Sequence, residues 1–188
     1  MTTAEWTAVL ASDGAALGLS CVGVLLENKY INDVFYTGRF KGRPCVVKCS
    51  SKCPWSIENE YRVASRLFAR APQVVAEALA VHDAPAFVVT AREGPSLTTL
   101  LAQGLSADQA DAFAGDIRDL AHALRETGVV HRDLFSDNLL LGANGHLKAI
   151  DWQLAIDRHA YREDPWVAKN WKFRYVVFGV NRELGLGV

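Results

Sequence analysis

The chain has 188 residues, of which 50% are hydrophobic, 22% charged and 10% aromatic, and its formal net charge is −1. That composition excludes an intrinsically disordered protein. The length suits one domain, or two small lobes sharing a core, able to bury about two-thirds of the unfolded surface without disulfide or metal staples. The charge balance argues against nucleic acid as a partner and against bulk attraction to a membrane. No basic, apolar leader opens the sequence, and no apolar run reaches the roughly 18 residues of a spanning helix, so a cytoplasmic protein with reduced thiols is expected.

In chain order, Val22 to Glu27, Val34 to Phe40 and Pro44 to Cys49 read as strands, with Lys41-Gly42-Arg43 as a tight turn. Cys45, Cys49 and Cys53 recur at even spacing, but no fourth ligand accompanies them, so they are expected to be small buried thiols. A helix is predicted from about Ser56, its expected N-cap, to Arg70, with Ile57, Tyr61, Ala64, Leu67 and Phe68 on its inner stripe. Val74 to His82 and Ala86 to Thr90 read as strands, and Gly94-Pro95 marks a lobe boundary. Ser106-Ala107-Asp108-Gln109 has the form of a capping box, and the helix behind it should bury Phe113, Ile117, Leu120 and Leu124 before Thr127-Gly128 ends it. Leu139 to Leu141 and His146 to Ile150 flank Asn144-Gly145 and predict a hairpin. A last helix is expected near Asp164-Pro165.

The strongest chemical signal is His131-Arg132-Asp133-Leu134-Phe135-Ser136-Asp137-Asn138, followed at the end of the hairpin by Ile150-Asp151-Trp152-Gln153. A hairpin this short brings Asn138 and Asp151 together. A carboxylate beside an amide carbonyl oxygen suits Mg²⁺, and Asp133 is then free to accept a proton from a hydroxyl. This loop resembles the H-R-D-x-x-x-x-N catalytic loop of the protein-kinase superfamily, with Asp151 at the Asp of D-F-G.

The resemblance implies a further set of residues. Lys48 in Val46-Val47-Lys48 matches the strand lysine that holds the ATP phosphates, and Val46, on the same strand face, would cover the adenine. Of the two helix acids, periodicity puts Glu60 on the inward side and Glu58 on the other, so Glu60 is the expected partner of Lys48. Ala86 to Gly94 resembles the hinge strand and linker, which assigns Thr90 and Arg92 to the nucleotide. The implied fold is α+β: a minimal two-lobed kinase-like domain over 1–188. Its antiparallel β lobe with one helix would span about 1–92, and a mostly helical, truncated second lobe about 95–188.

The sequence also departs from the family pattern. No G-x-G-x-x-G precedes Lys48, and Asn28 to Phe35 occupies that place without a glycine. Gln153 replaces the glycine of D-F-G, which argues against in-out flipping of that segment. No A-P-E follows, and the remaining chain is short for an activation segment with peptide-docking helices. His131 is expected to pack structurally. Within the superfamily, these features and Asn32-Asp33-Val34-Phe35 resemble the small bacterial lipopolysaccharide core kinases. That implies a lipid-linked acceptor, the hydroxyl of Kdo or heptose, phosphorylated with ATP and Mg²⁺. Trp166, Trp171 and Phe173 intermixed with Lys169, Lys172 and Arg174 serve either to cover the second lobe's core, the plainer expectation, or to make a peripheral contact at the inner membrane face. A small serine/threonine protein kinase and a pseudokinase-type binding module are the competing expectations.

Overall fold

The computed structural model describes residues 1–28 and 33–157. The expected last helix, the Trp-rich basic stretch and the middle of the glycine-free segment lie outside the described residues.

The chain opens with α1 (Thr3–Val9), a π-turn over Leu10–Gly14 and the short α2 (Ala15–Leu17). None of these was expected, although Thr2 and Glu5 form a capping box of the same kind as the one read at Ser106. Five strands follow: β1 (Leu19–Asn28), β2 (Asp33–Phe40), β3 (Arg43–Ser50), β4 (Ala78–Asp83) and β5 (Ala86–Ala91). They form one antiparallel sheet in the order β1-β2-β3-β5-β4. Alternation along β2 and β3 sends Val34, Tyr36, Cys45, Val47 and Cys49 to one face, where Trp6 and Leu10 of the N-terminal helices cover them. The opposite face of these strands carries Phe35, Val46 and Lys48. Cys45 and Cys49 are buried as expected, but Cys53 is only half-buried because it sits at a helix start.

That helix, α3 (Pro54–Phe68), begins earlier than the sequence suggested. Pro54 takes its first turn and Cys53 is the N-cap, while the Ser56 hydroxyl donates to the Cys53 carbonyl at 2.7 Å. Proline has no N–H to leave unbonded at a helix start, which explains the shift. Residues 74–77 do not join β4. Instead Ala149 donates to Val74 (2.9 Å) and accepts from Ala76 (3.0 Å), which stitches this run to the far hairpin.

After the linker come α4 (Leu97–Gln103), which was not expected, and α5 (Ala107–Thr127), capped by Ser106 and Gln109 and ended by Gly128 at φ 67°. Phe113, Leu120 and Leu124 are buried, but Ile117 is 43% exposed. The buried arc is rotated toward Asp116, Ala123 and Thr127. Asp116 fills the inward slot because it accepts from the Leu147 N–H and bonds the His146 ring, both at 2.8 Å. The pair β6 (Val129–Val130) and β9 (Ile156–Asp157) encloses the hairpin β7 (Leu139–Leu141) and β8 (Leu147–Ala149) in sequence. Leu139, Leu147, Ala149 and Trp152 complete the second core with Leu67 of α3 and Leu120 and Leu124 of α5. The result is an α+β arrangement, a curled antiparallel sheet backed by one helix and followed by helices and a hairpin, compatible with a minimal kinase-like fold. No helix among the described residues is long and apolar enough to cross a membrane.

Candidate functional site

Lys48 is the centre of the site. Its side chain leaves β3 on the face away from the apolar core, and the residue is only 4% exposed. The ammonium donates to Glu60 Oε2 at 3.1 Å, Asp151 Oδ1 at 2.7 Å and Gln153 Oε1 at 2.7 Å, and it lies 5.6 Å from the centre of the Phe35 ring. Burial alone would lower the lysine pKa, but Glu60 and Asp151 outweigh it and hold the ammonium above its usual range. Burial pushes Glu60 up to about 6; the attraction of Lys48 offsets only part of this, because Asp151 and Asp33 add negative charge nearby. Glu58 is exposed and faces a separate cavity beside His82.

Two neighbours on α3 divide the work. Glu60 holds Lys48, and the buried Asn59 holds the segment after Asp151: its Nδ2 donates to the carbonyls of Ala155 (2.9 Å), Gln153 (3.0 Å) and Trp152 (3.3 Å). The loop before β7 is fixed just as firmly. His131 is buried against Trp152, with ring centroids 4.3 Å apart. The Asp133 N–H donates to its Nδ1 (3.3 Å), so Nε2 carries the proton and donates to the Ile150 carbonyl (2.8 Å). Burial holds the ring below its ordinary pKa, so it stays neutral. The His131 role expected from the sequence, packing, is thus joined by a second one, tying the loop to the residue before Asp151.

Asn138 Nδ2 donates to the Asp133 carbonyl (2.7 Å) and to Asp133 Oδ2 (3.3 Å), while the Asn138 carbonyl accepts from the Ile150 N–H (3.0 Å). Arg132 and Asp151 both adopt left-handed backbone, at φ 73° and 62°. Such conformations cost a side-chain-bearing residue on the order of 1–2 kcal/mol and cluster where surrounding structure demands a particular orientation.

Lys48, Glu60, Asn138 and Asp151 border one cleft of about 420 Å³, within the range of small-molecule sites. Leu25, Phe35, Val46 and Thr90 line it from the sheet, Arg92, Glu93 and Gly94 from the linker, and Asn138, Leu140, Ile150 and Asp151 from the second half, with Lys48 and Glu60 at the back. Of the residues singled out in the sequence, Val46, Lys48, Glu60, Thr90, Arg92, Asn138 and Asp151 therefore share one cavity. Asp133 is held beside Asn138 and is not part of the lining. The sequence reading missed Leu25, Phe35, Leu140 and Ile150 as lining residues and Gln153 as a partner of Lys48. Strand alternation could have found Phe35, two residues from Asp33 and opposite Lys48. Gln153 stood out only as a departure from D-F-G, and nothing local marks its contact with Lys48.

Asn138 and Asp151 offer hard oxygen donors of the kind Mg²⁺ takes. No group of three or more His, Cys, Asp or Glu among the described residues could hold a metal by itself. An ion here would thus complete its shell with ligand and water oxygens, as Mg²⁺ commonly does with phosphates.

No family model matches the chain. Over 68 residues it is 37% identical to the serine/threonine-protein kinase cbk1 of Emericella nidulans, a match covering 36% of this chain and 6% of that protein. Over 74 residues it is 40% identical to the mitogen-activated protein kinase spk1 of Schizosaccharomyces pombe, covering 37% of this chain and 20% of that protein. The likeness to protein kinases is local. It spans a small part of each relative, and it agrees with a kinase-type protein without reaching the acceptor.

Proposed function

We propose that the protein is an ATP-dependent phosphotransferase that moves the γ-phosphate of Mg-ATP to an alcohol hydroxyl. The observation that carries this reading is the convergence of Lys48 with Glu60 and Asp151 at the back of a cleft that Asn138 also lines. Lys48 would neutralise the α- and β-phosphates, and Glu60 would hold the ammonium on target. Leu25 and Val46 would cover the adenine, with Thr90 and Arg92 beside it. The Ala91, Arg92 and Gly94 N–H groups are spent on Glu77, Pro44 and Leu141, so the adenine edge would meet other polar groups of the linker. Asp151 and Asn138 would hold Mg²⁺, whose chemistry there is to neutralise phosphate charge. The Asn138 amide fixes one carboxylate oxygen of Asp133 and leaves the other to accept the proton of the acceptor hydroxyl. Positioning and charge neutralisation would supply most of the rate. The residues act as one kinase-like domain, with lobes meeting near Gly94-Pro95.

For the acceptor, the resemblance of Asn32-Asp33-Val34-Phe35 and the glycine-free segment to lipopolysaccharide core kinases supports a Kdo or heptose hydroxyl, reached at the inner membrane face. The local likeness to a serine/threonine-protein kinase and to a mitogen-activated protein kinase favours a second reading, a protein Ser or Thr hydroxyl. Incubation with γ-labelled ATP and Mg²⁺, separately with delipidated core sugar and with Ser/Thr protein substrates, decides between them. Label on the sugar supports the first reading and label on protein the second. Transfer to neither, together with no thermal shift on adding Mg-ATP, overturns the phosphotransferase reading.

A further inference from the structure

Gln153 stands where the kinase pattern has a glycine, and it makes a contact no glycine can make. An ammonium has three N–H donors, and Lys48 has three acceptors at hydrogen-bond distance: Glu60, Asp151 and Gln153. Lys48 is almost wholly buried, so a phosphate oxygen can bond it only by displacing one of the three. Glu60 is a buried carboxylate, and moving it off the lysine would strand its charge. Asp151 is more open, at 25% side-chain exposure, and carries the charge a metal requires. Gln153 is the neutral acceptor of the set, and withdrawing it strands no charge. Its backbone cannot follow, because Asn59 pins the carbonyls of Trp152, Gln153 and Ala155. Release is therefore a rotation of one side chain.

We propose that Gln153 sets the nucleotide affinity of the cleft by competing with phosphate for an N–H of Lys48. This rests on the cleft being a nucleotide site and adds a residue that tunes it. The prediction is counterintuitive for a residue in the site, since removing its acceptor strengthens binding. The test is ADP binding by isothermal titration in EDTA, so that no metal bridges the ligand to a carboxylate. The proteins are wild type, Gln153→Met (similar in length, without a strong acceptor), Gln153→Glu and Lys48→Met, each checked by thermal unfolding. Loss of one hydrogen bond to a charged donor predicts ADP binding about tenfold or more tighter in Gln153→Met. A charged rival predicts binding at least about tenfold weaker in Gln153→Glu. Should Gln153→Met not fold, Gln153→Ala serves the same comparison.

If wild type binds ADP and Lys48→Met loses it, but the Gln153 acceptor-deleted variant binds no more tightly than wild type, the competition is overturned and the nucleotide site stands. If wild type itself binds neither ADP nor Mg-ATP, the nucleotide reading fails and this inference falls with it.

Discussion

The two faces of β3 solve opposite problems with alternate residues of one strand. On one face Cys45, Val47 and Cys49 are fully buried against Trp6, Leu10 and Phe87 and make no ionic contacts. On the other, Lys48 is nearly as buried but sits among three acids, Glu60, Asp151 and Asp33, with a single positive charge between them. Burying ions this way contributes little or nothing net to stability, since desolvation offsets the attraction. The first face stabilises the sheet, and the second maintains a charged cleft at its expense. A mutation on one face should therefore leave the property of the other intact.

The largest separation is expected in rate. Asp133→Asn keeps the shape of the loop but removes the proton acceptor, so phosphoryl transfer should fall on the order of 10²–10⁴-fold. The unfolding temperature should stay near wild type. Steady-state kinetics beside a thermal melt measures both, and a variant that melts early with its rate unchanged would break the division proposed here. Asp151→Ala should likewise abolish turnover, because it removes the carboxylate of the proposed metal pair. The mirror experiment is Trp6→Ala on the apolar face. Emptying a site that is 0% exposed should cost about 3–5 kcal/mol in urea unfolding. At temperatures where the protein remains folded, ADP affinity should not change.

The division also explains what could be read from the sequence. The cleft face was legible because its chemistry is carried by residue types at fixed spacing: Lys48 on a strand, Asp133 and Asn138 on a loop, Asp151 at a strand end. Choosing Glu60 over Glu58 needed only helical periodicity. The apolar face was not legible in the same way. Its strands were found, but the helices covering it were not, because a short helix broken by a π-turn and followed by Gly18 shows little periodicity and is held by Trp6 and Leu10 packing on the sheet. Ile117 misled for a related reason. Leucine-like spacing on α5 suggested an apolar inner stripe, but a buried Asp116, paid for by two hydrogen bonds to the hairpin, turned the helix. Gln153 was visible as a departure from a pattern, yet its contact with Lys48 joins residues 105 positions apart and depends on tertiary placement alone.

Asn59 ties α3 to the segment that carries Gln153, and its loss should give an intermediate result. Asn59→Ala leaves three backbone carbonyls without their shared donor, for a loss of about 1–3 kcal/mol. It also frees the segment carrying Gln153. Hydrogen exchange at residues 152–155 should rise by more than the global loss predicts. Uniform change across the protein would mean that Asn59 is an ordinary core contact and does not act specifically on that segment.

The smallest effect is also the most discriminating, because it runs in opposite directions for the two properties. Burial lifts Glu60 from 4.5 to about 6 in the folded protein. A raised carboxylate favours the proton in the folded state, so its contribution to stability is full below about pH 4.5 and is lost as pH rises through about 6. Nucleotide affinity needs the other form, since only ionised Glu60 holds Lys48 as a charged partner, and it should weaken as pH falls through about 6. His131 works against the stability trend. Its pKa is depressed by burial, so its contribution is present above its ordinary 6.5 and is lost as pH falls below that. The wild-type melt alone would therefore mix two opposing slopes. Subtracting the pH dependence of Glu60→Gln from that of wild type, in both melting temperature and ADP affinity, removes His131 and leaves Glu60. The difference curves should slope in opposite directions between about pH 4.5 and 6; parallel slopes would mean that Glu60 supports the fold and the cleft in the same charge state.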